Sequence, residues 1–236
     1  MMMIRKISIV LLLLFLSFPL HSKKYVFSVN ILTKIAQDVG KEMAFKDNPK
    51  AFLDEVHKRI YQAYPELVVP PDSGEWIFNS VGGSLAEIKI LFCTTTEYLS
   101  LWGSPLATEG FSGRYPALDV WDIMLSGLMK SYKPGDHKYD VYRNNPLDNE
   151  YQTSLLYRKV GKHFSLDEGT YMIDYGRGNL ISALNAGAIL GHKYVTGDKY
   201  SKKKMLGTCS KMTFENASIK RRRIIRKYKE SNPDFN

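Results

Sequence analysis

Between Glu75 and about Tyr132 the chain has no room for a long helix. Short apolar segments run from Glu75 to Val81, Leu85 to Cys93, Thr95 to Trp102 and Val120 to Met129. Turn formers interrupt them at Gly82-Gly83, Gly103-Ser104-Pro105 and Gly110 to Gly113. This rhythm predicts a compact antiparallel sheet or barrel, which segments near Leu155 to Val160 and Tyr171 to Tyr175 would complete. The polar stretch Lys133 to Gln152, with Pro134-Gly135-Asp136 and Asn144-Asn145-Pro146, reads as a surface excursion. Ahead of the strands, Asp47-Asn48-Pro49 is a helix start, with Asn48 as N-cap and Pro49 in the first turn. Phe52 or Leu53, Val56, Ile60 and Ala63 follow at helical spacing, and the helix stops before Pro65. After Gly178 the alanine-rich run Asn179 to Leu190 is expected to be helical and to end at Gly191.

One strand-like run stands out, Tyr171-Met172-Ile173-Asp174-Tyr175-Gly176-Arg177-Gly178. Aspartate is depleted from strands, because its short polar side chain competes with the ladder and resists burial. Alternation places Met172 and Asp174 on one face and Tyr171, Ile173 and Tyr175 on the other. Asp174 therefore faces either water, loosely paired with Arg177, or the interior of a barrel.

The net charge of +9 on 236 residues is uneven. Residues 199–229 hold twelve Lys or Arg against a single acid, Glu215, so the basicity belongs to the tail rather than to the fold. Such a tail is either a solvated arm or a contact for anionic lipid. Nucleic acid is not expected, since no stacking platform or reading helix accompanies Arg221-Arg222-Arg223. At the other end, Arg5 and Lys6 precede the apolar run Ile7 to Phe18. Residues 1–22 read as an uncleaved membrane anchor or as a cleaved signal peptide, which would imply secretion. Cys93 and Cys209 cannot build a disulfide framework and are expected to be free thiols. The five histidines have no ligand-like spacing, so neither a metal nor another cofactor is expected.

Five fragments occur in the order and approximate spacing of one family: Glu75 to Gly83, Thr96 to Gly103, Ser112-Gly113-Arg114-Tyr115, Asp122 to Gly127 and Tyr171 to Gly178. The chain resembles the sigma-one receptor and fungal C-8 sterol isomerase family. The resemblance implies a mainly β fold with flanking helices: a cupin-like β-barrel around an apolar cavity, with an N-terminal membrane segment and a helical C-terminal part. The implied division is residues 1–22 as membrane anchor or signal segment, 23–190 as the sterol isomerase/sigma receptor-like domain and 191–236 as the basic tail. It implies association as trimers, contact with membrane lipid and, in a eukaryote, the endoplasmic reticulum. Asp174 stands where the family more usually has Glu, and Asp122 stands at its acidic partner. Tyr98 falls on the tyrosine that hydrogen-bonds the pair. Trp76, Trp102, Tyr115, Asp119, Ala183 and Leu184 fall among positions that line the cavity or adjoin it. Asp174 is one methylene shorter than Glu, which draws its oxygens back by about 1.5 Å. A His-Gly-Pro-Gly-Glu-Ala motif of the family is absent from Leu156 to Gly161.

Moving a sterol double bond from position 8 to 7 needs a proton donated to one ring carbon, a transient carbocation and a proton removed from a neighbouring carbon. Two carboxyls crowded in an apolar cavity cannot both ionise easily, so one serves as acid and the other as base. The same arrangement would bind a protonated hydrophobic amine, whose charge resembles that of the carbocation. The expected ligand is therefore a sterol handled by an isomerase, or a hydrophobic amine or lipid held by a non-enzymatic receptor.

Overall fold

The computed structural model describes residues 25–145, 150–180, 182, 207 and 209. The N-terminal membrane or signal segment 1–22, most of the helix expected over Asn179 to Leu190 and nearly all of the basic tail lie outside the described residues. No helix among the described residues is long and apolar enough to cross a membrane.

Helix α1 (Val29–Glu42) and helix α2 (Pro49–Ala63) precede all the strands. In α2 the Asn48 side chain accepts a hydrogen bond from the Ala51 N–H at 3.0 Å, with Pro49 in the first turn, as the sequence predicts. Phe52, Leu53, Val56, His57 and Ile60 form its buried face. The sequence reading passed over α1, although Leu32, Ile35, Ala36 and Val39 are buried at helical spacing.

Strands β1 (Ile77–Val81), β2 (Ser84–Cys93), β3 (Glu97–Ser104), β5 (Leu118–Ser126), β9 (Thr153–Leu156) and β11 (Thr170–Gly178) form a sheet in the order β1-β2-β3-β11-β5-β9. Strands β4 (Thr108–Phe111), β6 (Leu128–Tyr132), β7 (Asp140–Asn145), β8 (Glu150–Tyr151) and β10 (His163–Leu166) form a second, in the order β4-β10-β6-β7-β8. All the pairings are antiparallel. The described part of the fold is mainly β, with α1 and α2 against it. At Gly127, φ is +68° and a Cβ would overlap Thr170, so glycine there lets the chain pass from β5 in one sheet to β6 in the other.

The six-stranded sheet is covered on both faces. Leu99, Leu101, Ile123, Tyr171, Ile173 and Tyr175 pack outward with the buried residues of α1 and α2. Ile77, Ile88, Trp102, Met124 and Met172 point inward and meet Met129, Phe164 and Leu166 of the second sheet. Burial on both sides explains why β11 is nearly continuous in apolar residues, and why its one carboxylate is anomalous.

Three expectations are corrected. Part of the stretch read as a surface excursion is β7 and β8, with β7 paired to β6; its strands are short and polar and carry little alternation signal. The strand expected over Leu155 to Val160 ends at Leu156, and the following β10 was missed. The two cysteines are not free. Cys93, at the end of β2, is bonded to Cys209, with Cα atoms 4.9 Å apart. Two cysteines are too few for a framework, but the fold brings these two within bridging reach across 116 residues of sequence.

A cross-link closing so long a loop is worth about 2–5 kcal/mol. Non-reducing peptide mapping is expected to recover Cys93 and Cys209 in one linked pair. Cys209→Ser is expected to lower unfolding stability by an amount in that range, read by denaturant titration.

Candidate functional site

Asp174 lies at the middle of β11 and is matched directly by Asp122 of β5 on one side and by Ser100 of β3 on the other. Residues directly opposite on neighbouring antiparallel strands share a face and stand about 4.5–5.5 Å apart. Both aspartates therefore project from the inner face, into a cavity of about 90 Å³ between the two sheets. Tyr98, Trp102, Tyr115, Val120, Met129 and Phe164 contribute most of the ring and apolar wall.

The two carboxyls are treated differently by their surroundings. The Tyr98 hydroxyl donates to Asp174 Oδ1 at 2.7 Å, and Ser100 Oγ donates more weakly to Oδ2 at 3.4 Å. Burial pushes the Asp174 carboxyl up to about 6, with these two hydrogen bonds holding it back. Asp122 is pushed well above the ordinary carboxylate range, first by burial and then by the charge of Asp174, while the Lys162 ammonium acts the other way. The surroundings thus favour the carboxylate at Asp174 and the acid form at Asp122, the division of roles that acid–base chemistry requires.

Tyr98 reaches Asp174 because of a glycine. Gly176 is the register partner of Tyr98, and a Cβ there would overlap the Tyr98 ring. The ring lies in the space that a side chain at Gly176 would fill. Trp102 is fixed by its indole N–H, which donates to Asn79 Oδ1 at 3.0 Å, and by an edge contact with Phe164 at 5.7 Å. Tyr115 enters from the loop between β4 and β5.

The structure thus gathers Asp174, Asp122, Tyr98, Trp102 and Tyr115 in one cavity. Two expected residues are elsewhere. Alternation from Ile77 turns Trp76 outward, where its ring meets Tyr171 edge-on at 6.0 Å on the helix side of the sheet. Asp119 falls out of phase with Asp122, and its carboxylate takes the Arg158 guanidinium at 3.2 Å and the Arg158 N–H at 2.7 Å. The Arg158 hydrogen bonds hold it below the usual carboxylate range. Ala183 and Leu184 lie outside the described residues. Sequence reasoning missed Ser100, Asn79, Ser154 and Lys162, all of which border the site. The alternation of β3 through Tyr98 and Trp102 would have found Ser100; Lys162, on the turn into a four-residue strand, left no periodic signal. Among the described residues, no group of three or more His, Cys, Asp or Glu is placed to hold a metal ion.

The family model described as ERG2 and Sigma1 receptor like protein matches residues 2–215. The chain belongs to this family. It is 31% identical over 165 residues to the sigma non-opioid intracellular receptor 1 of Danio rerio, covering 69% of this chain and 68% of that one. It is 30% identical over 156 residues to the C-8 sterol isomerase ERG2 of Gibberella zeae, covering 65% and 61%. Among solved structures it is similar to an RmlC-like cupin from Shewanella frigidimarina, at 12% identity over 48% of this chain and 89% of that one, with a TM-score of 0.36.

Because the Tyr98 hydrogen bond lowers the Asp174 pKa, Tyr98→Phe is expected to move the Asp174 titration above about 6. Asp119→Asn is expected to leave it in place. Carboxyl titration by ¹³C NMR or infrared difference spectroscopy reads both.

Proposed function

We propose that the cavity is the active site of a C-8 sterol isomerase-like membrane enzyme that shifts a sterol double bond from position 8 to 7. The observation that carries this reading is the register pairing of Asp122 with Asp174, two half-buried carboxyls facing the cavity whose surroundings push their protonation apart. In the proposed cycle Asp122 gives its proton to one carbon of the double bond. Asp174 then takes a proton from a neighbouring carbon, so that the double bond re-forms one position along. The pair is left with its proton on the other member, and transfer from Asp174 back to Asp122 restores the starting state. Positive charge on the ring system between the two steps is faced by the Asp174 carboxylate and by the rings of Trp102 and Tyr115.

The volume sets a condition on binding. Cavities that hold drug-sized ligands measure about 300–1,000 Å³, well above the 90 Å³ here, so the sheets or a loop at the cavity edge must yield for a sterol to enter. The same proposal places the enzyme at the endoplasmic reticulum membrane, in contact with lipid and associated as trimers. The Cys93–Cys209 bond is compatible with the oxidising side of that membrane.

The test is complementation of a cell lacking C-8 sterol isomerase, with sterols read by mass spectrometry. Restoration of the Δ7 product is expected, and absence of turnover by the expressed, folded chain would overturn the reading. The rate is expected to rise with pH as Asp174 ionises near 6 and to fall at higher pH as Asp122 loses its proton. Asp174→Asn is expected to lower turnover by about 10²–10⁴-fold, the usual contribution of a positioned acid or base. It is not expected to lower stability. The folded-state pKa of Asp174 is raised, so ionisation disfavours the fold as pH climbs from about 4 to about 6, and the amide removes that cost.

A further inference from the structure

The cavity also holds a basic side chain. Lys162, at the turn into β10, is 7% exposed and lines the same space as Asp122 and Asp174. Its backbone is pinned on both sides, with Lys162 N–H donating to Ser112 Oγ and Ser112 N–H donating to the Lys162 carbonyl, each at 2.9 Å. The side chain therefore enters the interior from a fixed point. Its Nζ donates to the Leu155 carbonyl at 3.1 Å and lies 5.6 Å from the centre of the Tyr142 ring. An ammonium has three N–H donors, and the Leu155 carbonyl takes one of them. No ion pair within 4.0 Å involves Lys162 among the described residues. Burial pushes its pKa down from the ordinary lysine value, and the carboxylate that does most to hold it charged is Asp122.

This changes the charge of the site. Two carboxyls sharing one proton make an anionic cavity, which is neutralised by a cationic ligand. With Lys162 in the same space the cavity is neutral before any ligand arrives. A ligand ammonium would enter beside a like charge, and like charges brought together in a desolvated site are a strong means of excluding the wrong partner. An uncharged lipid meets no such repulsion, and its hydroxyl or carbonyl oxygen can accept from a Lys162 N–H. We infer that Lys162 is a specificity-determining residue that makes the cavity select neutral, oxygen-bearing lipids over hydrophobic amines. The inference rests on the carboxylate cavity being the ligand site.

The experiment uses the full chain in detergent, with the fluorescent sterol dehydroergosterol as neutral probe and N,N-dimethyldodecylamine as cationic competitor. The wild type is expected to bind the sterol and to be displaced poorly by the amine. In Lys162→Met the two affinities are expected to move in opposite directions, the amine tightening by about tenfold or more as the repulsive element is removed and the sterol weakening. Lys162→Gln, for use if the Met variant folds poorly, is expected to tighten the amine in the same way. Lys162→Arg keeps the charge and is expected to keep the wild-type ranking. Affinities that move together in the neutral variants, or do not move, would overturn the role of Lys162. An Asp174→Asn arm separates this from the larger reading. Sterol and amine affinities both unchanged in that variant, or a wild type that binds neither probe, would overturn the cavity as ligand site and Lys162 with it.

Discussion

A fully buried carboxylate on the other side of the same sheet, Glu97, holds the helical layer in place. Its oxygens accept the Val26 N–H at 2.9 Å, the Phe27 N–H at 3.1 Å and the Tyr175 hydroxyl at 2.6 Å. Arg177 closes the cluster by donating to the Tyr175 hydroxyl at 2.8 Å and to the Phe27 carbonyl at 3.1 Å. A carboxylate taken out of water is tolerable only with such a set of donors. Here the donors are the backbone leading into α1, so satisfying the charge fixes where the helices begin. Phe27 then packs edge-on against Tyr64, Phe92 and Tyr175, and the outer face of the sheet becomes interior.

The clamp and the candidate site are separated by one residue on each of two strands. On β3, Glu97 points outward and Tyr98 inward; on β11, Tyr175 points outward and Asp174 and Gly176 inward. Register ties them together, since Tyr98 faces Gly176 and Glu97 faces Arg177. A slip of one residue would send Asp174 into the helix layer and Tyr175 into the cavity, losing the donors of both carboxylates at once. The register of the central strand pair is therefore set from both sides of the sheet, and the placement of Asp174 follows from it.

This layering also explains what could be read in advance. The alternation of β11 showed that Met172 and Asp174 share a face, and a barrel interior was one of two readings of that face. Family resemblance supplied Asp122, and the structure puts it opposite Asp174. The resemblance, not phase, set Asp119 and Trp76 at the cavity. Asp119 is three residues from Asp122, an odd step that puts it on the other face, and Trp76 precedes the first paired residue of β1. Register irregularities at Ile90/Phe92 and at Tyr171/Met172 show how a bulge resets the count in this sheet. Lys162 and the Cys93–Cys209 bond were illegible for a different reason: each joins parts of the chain distant in sequence, and neither lies in a periodic element long enough to announce its face.

In the proposed cycle, donors rather than depth decide which aspartate acts as base. Both carboxyls are half-buried at the cavity, but Asp174 receives hydrogen bonds from Tyr98 and Ser100, and its Tyr98 partner occupies the space that a side chain at Gly176 would fill. A lipid filling the cavity would drive out water and raise the cost of charge on both carboxyls. It would also strengthen the Tyr98 hydrogen bond, because the field of a donor grows as the local dielectric falls. Asp122 would be held in the acid form by the first effect, and Asp174 kept ionised by the second. Ligand entry would therefore widen the difference between the two groups, so the division into acid and base that the proposed cycle needs would be sharpest in the complex.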